Sequence, residues 1–385
     1  MPSLHTCLVG AAMVAACAAP NEAFAPLPAQ PAGPKLVIDE AALAALGEQI
    51  EAQCEAGTFS GGLHVRVGSD LIFAKACSPD ADASPDSDLY KIFSTSKTLT
   101  GVATLSLAQD GLLSLDAPIT DYLKTAPKIW SAVTVGQLLN HSSGIPDHTG
   151  ALLGRWTEHD AQSYDEAMTG LLEALAETET ALASPPGAEW KYSNFGYELL
   201  ALIASEVAGM PFDDVLANRV FAPAGMTTAE VAQPLIDSGE VTGSAPVAAL
   251  ITGYNGEPGS LEEATSYSFV QWGAGAVLAS LADMDAFAAA MDAGELVDPA
   301  FFDAQLVKAK KVNDNVAYGP GVMLRMSGDC RVLQHSGGTN GYISDLSRLP
   351  DLDASVVVMS NYGFAQTREL SKAAIEALTS GTECH

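Results

Sequence analysis

The chain has 385 residues, 18 Lys+Arg against 47 Asp+Glu, and a formal charge of -29. Its 48% of apolar and aromatic residues, with only 17% charged, supply a sizeable core and exclude a disordered chain. The acidity excludes the basic surface that nucleic-acid binding needs and opposes docking on an anionic membrane.

In chain order, Leu8 to Ala19 form one apolar stretch too short to span a bilayer. It reads as the core of an export signal over residues 1–25, although the segment before it has no Lys or Arg and only His5. Two processing sites compete. Ala23-Phe24-Ala25 fits the small-x-small rule, but Pro26 would follow the cut. Val14-Ala15-Ala16-Cys17 resembles a bacterial lipobox, with Cys17 as the lipid acceptor, and is placed slightly ahead. Residues 26–37 carry Pro26, Pro28, Pro31 and Pro34 and read as a stiff linker to a folded domain over 38–385. The expected location is the periplasm, free or as a membrane-anchored lipoprotein, or otherwise the outside of the cell. Beyond the signal and Cys17, four cysteines remain in an oxidising compartment: Cys54, Cys77, Cys330 and Cys384.

Asp39 caps a helix with Leu43, Leu46 and Ile50 on one face, ending before Gly57. Leu63, Val65 and Val67 alternate with His64 and Arg66 as a strand. Gly68-Ser69-Asp70 is a turn, and Leu71 to Cys77 is a second strand. From about 95 to 235 the pattern is mostly helical. Strands return at Arg331–His335, Tyr342–Arg348 and Ser355–Ser360, and a last helix runs from about Gln366 to Leu378. The order predicts an α+β fold with an antiparallel sheet built from both ends of the chain and a helical part inserted between. The sheet part is 38–93 with about 265–385, and the helical part about 94–264. A hairpin puts the end of the first helix beside the end of the second strand, which predicts Cys54–Cys77. The last helix runs back toward the start of the Arg331 strand, which predicts Cys330–Cys384.

Three short boxes carry the chemistry. Ser94-Thr95-Ser96-Lys97 opens a helix, and positions i and i+3 share a face, so Lys97 lies one turn beyond Ser94. A serine hydroxyl needs a base to take its proton, and a lysine serves when burial and neighbouring charge lower its pKa. Alone, Ser-x-x-Lys is common, and a solvated helix face explains it equally well. Tyr192-Ser193-Asn194 adds a phenol that shuttles protons, partly as phenolate near a lysine, and an amide that both donates and accepts. His335-Ser336-Gly337-Gly338-Thr339-Asn340-Gly341 follows a late strand, where glycines admit close backbone approach.

In this order the boxes resemble the serine β-lactamase and penicillin-binding protein superfamily, on the branch with class C β-lactamases, S12-type D-Ala-D-Ala carboxypeptidases and related esterases. The segments Leu138–Asp147, Gly273–Leu281 and Tyr318-Gly319-Pro320-Gly321 match as well, and the likeness covers about 38 to 380. It implies a β-lactamase/transpeptidase-like fold with a five-stranded antiparallel sheet, flanking terminal helices and an all-helical inserted subdomain. It implies that Ser94 is acylated and that Lys97 and Tyr192 share base and acid duty. Asn194 then holds a substrate amide, and the N–H groups of Ser94 and Gly338 form an oxyanion hole within the His335-Ser336-Gly337-Gly338 box. His335 stands where many relatives carry the lysine of Lys-Thr-Gly. A histidine is mostly uncharged near neutral pH, which weakens a dedicated β-lactamase reading.

His141 follows a helix and is read as structural. His64, His148, His159 and His385 lack metal-ligand spacing, and neither metal nor cofactor is implied. Between Arg155 and Lys191 there is no Lys or Arg, and Glu158, Asp160, Asp165, Glu166, Glu173, Glu177, Glu179 and Glu189 accumulate. A solvated acidic helix explains them; the sharper expectation is an acidic rim that repels anionic substrates. The function expected is an exported serine hydrolase acting through an acyl-enzyme on D-Ala-type peptides, β-lactams or esters. Its partner is a small-molecule or peptide substrate. The competing class is a non-catalytic binding module on the same fold.

Overall fold

The computed structural model describes residues 36–79, 83–152, 164–178, 180–237, 240–244, 247, 249–264, 272–339 and 341–384, with the backbone alone at 164, 234–237 and 240–244. The export signal, Cys17 and the linker up to residue 35 lie outside the described residues. So do Glu158, His159, Asp160, Glu179, Asn340 and His385.

Helix α1 (Glu40–Glu55) starts where the Asp39 carboxylate accepts the Ala42 N–H, and it buries Leu43, Leu46 and Ile50. Strands β1 (Gly61–Val67) and β2 (Asp70–Cys77) form a hairpin. Six further strands come from the end of the chain: β3 (Lys310–Asn313), β4 (Val316–Tyr318), β5 (Met323–Ser327), β6 (Cys330–Thr339), β7 (Tyr342–Leu349) and β8 (Ala354–Ser360). They make one antiparallel sheet in the order β3-β4-β5-β6-β7-β8-β1-β2. The two ends of the chain meet where β1 pairs with β8, Leu63 opposite Val358. The sheet therefore has eight strands rather than five. The three extra ones are short, and Lys310, Lys311 and Asn313 give the edge no apolar alternation to read.

The period-2 pattern separates the two faces of the sheet. Leu63, Val65, Val356 and Val358 pack with α1 and with α6 (Thr367–Thr379) in one core. Val357, Met359, Leu333 and Leu346 face a second, larger core shared with the helical part. The polar residues that alternate in β1 do not face water. His64 and Arg66 are buried against helix α5 (Leu281–Asp292), where His64 meets Asp285 and Arg66 Nη2 donates to Asp292 at 2.6 Å. Arg348 Nε reaches the same Asp292 at 3.1 Å. A buried charge is stable only when paired, and here each has its partner.

The helical part contains α2 (Ser96–Gln109), α3 (Tyr164–Glu177) and α4 (Asn194–Ala208). Helix α2 is buried without a break from Ser96 to Leu107, so it runs through the core rather than over it. The insertion is not wholly helical. It carries hairpins at Pro234–Asp237 with Glu240–Ser244 and Tyr254–Glu257 with Ser260–Glu263, and Glu230–Val231 joins Tyr90–Lys91 and Val277–Ala279 in a small sheet. Their Gly and Glu content hid these strands from an apolar alternation count. The described residues all belong to one compact unit.

Cys54 near the end of α1 is bonded to Cys77 at the end of β2, and Cys330 at the start of β6 to Cys384 beyond α6. The closed loops span 23 and 54 residues, so each bond stabilises the fold by about 3–4 kcal/mol in a chain-entropy account. Removing either pair as a double alanine variant lowers the melting temperature, and non-reducing peptide mapping recovers Cys54–Cys77 and Cys330–Cys384 as the linked peptides.

Candidate active site

Ser94 sits in the tight turn Phe93–Thr95 that precedes α2, one step outside the helix proper. Phe93 has φ +44°, a strained setting for a residue with a side chain. The turn is clamped from the sheet. Ser344 Oγ of β7 donates to Ile92 O at 2.8 Å and contacts Thr95 Oγ1 at 2.9 Å. A Cβ at Gly337 of β6 would lie 2.0 Å from Ile92 O and 2.8 Å from Ser94 N, so only glycine lets the strand pass this close.

The i, i+3 pairing holds across the turn. Lys97 Nζ donates to Ser94 Oγ at 3.1 Å and to Ala274 O at 2.8 Å. Lys97 is 0% exposed, which excludes a solvated helix face. Burial pushes its amine down to about 7, against the opposing pull of Glu198 and Asp147. Tyr192 precedes α4 and hydrogen-bonds the Ser94 hydroxyl, with Lys97 Nζ 5.0 Å from its ring centre. Burial, opposed by the bond to Ser94, raises the phenol to about 12. Tyr192 is thus a neutral phenol and not the partial phenolate that proximity to a lysine suggested.

His141 packs behind Tyr192, ring centres 4.5 Å apart, and against Tyr318 at 4.4 Å. Its Nδ1 accepts the Ser193 N–H at 3.3 Å. Burial keeps it neutral, and it acts as a wedge that sets the tyrosine ring. Asn194 opens α4, and its Oδ1 is buried without a partner among the described residues. It does not line the cleft with Ser94.

That cleft, of about 500 Å³, is lined by Ser94, Tyr192, His335, Ser336, Gly337 and Gly338, with Gln366, Thr367 and Arg368 closing one side. His335 is fixed in one tautomer: Nδ1 lies 2.9 Å from Ser336 O, so it carries the proton, and Nε2 accepts the Tyr318 hydroxyl at 3.0 Å. Burial and nearby Lys97 push its pKa down to about 3, so it is uncharged at any neutral pH. The charge absent from His335 is supplied by Arg368 in the first turn of α6. Its Nε and Nη2 donate to Ser336 Oγ at 3.1 and 2.6 Å. Arg368 is the one cationic side chain among the described residues lining the cleft.

The described part of the acidic stretch lies away from the cleft. None of Asp165, Glu166, Glu173, Glu177 and Glu189 lines the Ser94 cleft, and Glu173 and Glu177 border a separate hollow beside Lys124 and Lys128. Two participants escaped the motif reading. Glu198 carried a signal, as a charge set inside the apolar run Phe195–Ala204, four residues after Asn194. Arg368 carried none, because only the return of α6 across the sheet brings it to Ser336.

A family model described as Beta-lactamase matches residues 48–379. The chain belongs to the Beta-lactamase family. Its fold and its ordered boxes are those of a serine hydrolase family related to penicillin-binding proteins. It is 25% identical over 315 residues to Penicillin-binding protein 4* of Bacillus subtilis, covering 79% of this chain and 68% of that protein. It is 30% identical over 175 residues to Protein flp of Staphylococcus aureus, covering 43% of this chain and only a third of that protein, 33%. Its fold matches a D-stereospecific amidohydrolase from Streptomyces sp. with a TM-score of 0.69 at 24% identity, over 88% of this chain and 99% of that one.

The charge state of Lys97 sets a pH dependence. Below about 7 the amine is an ammonium with no lone pair to accept the Ser94 proton; above it the base is free. The rate of Ser94 labelling by a fluorophosphonate rises with pH through that value. Lys97→Met lowers the plateau about 10²–10⁴-fold, the usual worth of a positioned general base.

Proposed function

We propose that this chain is an exported serine hydrolase that cleaves an amide or ester bond next to a terminal carboxylate, of the D-alanyl carboxypeptidase type. The observation that carries the reaction is the buried Lys97 amine 3.1 Å from Ser94 Oγ. Ser94 Oγ adds to the substrate carbonyl carbon while Lys97 takes its proton. The N–H groups of Ser94 and Gly338 meet the oxyanion. The Tyr192 phenol gives its proton to the leaving nitrogen or oxygen and regains one from Lys97. Water then adds to the acyl-enzyme, its proton returning through the same pair, and Ser94 is released.

Arg368 supports the carboxylate. A guanidinium beside Ser336 offers two N–H groups in the fork geometry that carboxylates accept. The relatives named for penicillin binding and D-stereospecific amide hydrolysis fit a substrate of this class. The second reading, an esterase for uncharged acyl groups, rests on the neutral His335. A D-Ala-D-Ala peptide, its C-terminal amide and a short p-nitrophenyl ester separate the two. Arg368→Ala lowers kcat/KM for the free acid about 10–100-fold relative to the ester, the worth of one charge-assisted contact. An unchanged ratio assigns the site to neutral esters. Ser94→Ala abolishes turnover and fluorophosphonate labelling; no labelling of folded wild-type protein would instead leave a binding module.

Export is supported by the apolar leader and by four cysteines suited to an oxidising compartment. Lipid attachment at Cys17 predicts that the mature protein partitions with membranes and that Cys17→Ala releases it into the soluble fraction.

A further inference from the structure

Behind the reacting groups lies a carboxyl that the acyl-transfer steps do not use. Glu198 of α4 is 0% exposed. Its two oxygens accept the N–H groups of Gly273 at 3.2 Å and Ala274 at 3.1 Å. The carbonyl of Ala274 accepts from Lys97 Nζ at 2.8 Å, and that of Gly273 accepts the Thr100 hydroxyl of α2 at 2.7 Å. The segment Trp272–Gly275 is therefore a bridge held on one side by α4 and on the other by α2. It is pressed hard against α4: a Cβ on Gly273 would lie 1.9 Å from Tyr197 O. The peptide joining Gly273 to Ala274 cannot turn without breaking a buried hydrogen bond on each side, to Thr100 through its C=O and to Glu198 through its N–H.

We infer that Glu198 is a positioning residue for the Ser94–Lys97 pair: it holds the Gly273–Ala274 peptides as the seat of the Lys97 amine and places a carboxyl group behind it. The inference rests on the reading of Ser94 and Lys97 as nucleophile and base. The groups facing Lys97 come from every element around it. They are Glu198, Tyr192 and Tyr197 at α4, His141 and Asp147 on the segment that follows Leu139, and His335 on β6. The two histidines are neutral and the tyrosines are protonated, so Glu198 and Asp147 are the groups whose ionised form opposes the loss of the Lys97 proton. Asp147 is engaged elsewhere, accepting from Thr149 N at 3.1 Å and from the Phe195 N–H at 3.4 Å. Burial pushes the Glu198 carboxyl up to about 8, opposed by its two backbone donors and by Lys97. Lysine and carboxyl thus titrate in one range as a coupled pair.

The test is the pH profile of fluorophosphonate labelling at Ser94 in full-length protein, which needs no knowledge of the substrate. Glu198→Gln removes the ionisable carboxyl and offers an amide nitrogen to one of the two N–H donors. The shared titration of the pair then becomes that of Lys97 alone, so the acid limb moves to lower pH, by up to about one unit, and the plateau rate falls. Glu198→Asp keeps the charge and draws it back by one methylene, so its limb stays near that of wild type while its plateau falls. A merely structural role would change the melting temperature and leave both limbs in place. A Glu198→Gln limb superimposed on wild type, in protein shown to be folded by circular dichroism, overturns the inference. If Glu198→Gln does not fold, Glu198→Asp decides: a wild-type plateau overturns it and a lowered plateau with an unmoved limb supports it. Failure of the catalytic reading would appear separately, as labelling that survives in Ser94→Ala.

Discussion

A lysine amine sealed from water between a serine hydroxyl and a backbone carbonyl is the constraint on which the rest of this molecule depends. An ammonium in that position has lost its hydration, and the loss favours the neutral amine. The protein meets this by surrounding Lys97 with fixed dipoles rather than solvent: Ser94 Oγ in front and Ala274 O behind. Such a setting exists only if α2 runs through the middle of the fold, buried from Ser96 to Leu107. That in turn needs helical mass on one side and a sheet on the other. The eight-stranded sheet and the inserted helices share one continuous apolar core around this helix.

Charge in the cleft is decided locally and not by the chain as a whole. The sequence carries 47 acidic residues against 18 basic ones, yet the described wall of the cleft presents a guanidinium. His335 cannot substitute for it, because Tyr318 and Ser336 O occupy both ring nitrogens and burial removes its charge. Arg368 sits at the edge instead of on the strand, where water still reaches it. A guanidinium there incurs no desolvation cost for its place beside Ser336. The site thus holds two cationic residues in opposite settings, Arg368 exposed at the cleft edge and Lys97 buried with its pKa lowered.

The motif residues were legible because acyl transfer restricts what can stand at each position. Ser94 and Lys97 needed only helical spacing to be paired, and the intervening turn preserves it even though the helix starts at Ser96. The disulfide partners followed from a hairpin and a returning helix, both local in logic. Less legible were the partners that tertiary contact creates. Alternation marked His64 and Arg66 as strand residues but not what they face, because their partners on α5, Asp285 and Asp292, lie more than two hundred residues away. For the acidic stretch before Tyr192, closeness along the sequence does not bring its described residues to the cleft wall, as a solvated acidic helix would have it. The edge strands β3 to β5 were missed because short, polar, exposed strands take their form from pairing with a neighbour rather than from their own pattern.

By itself, then, the sequence determined the chemistry: which hydroxyl, which amine and which phenol belong together, and the order of strands and helices that carries them. These follow from side-chain type and from periodicity, which are properties of a few adjacent residues. Only the tertiary structure decided the electrostatics. It lowered the pKa of the Lys97 amine, kept Tyr192 a neutral phenol and His335 an uncharged ring, and brought Glu198 and Arg368 to their places. The reason is physical. A proton's affinity for a side chain is set by burial and by charges and dipoles within a few ångströms, and those neighbours are supplied by distant parts of the chain.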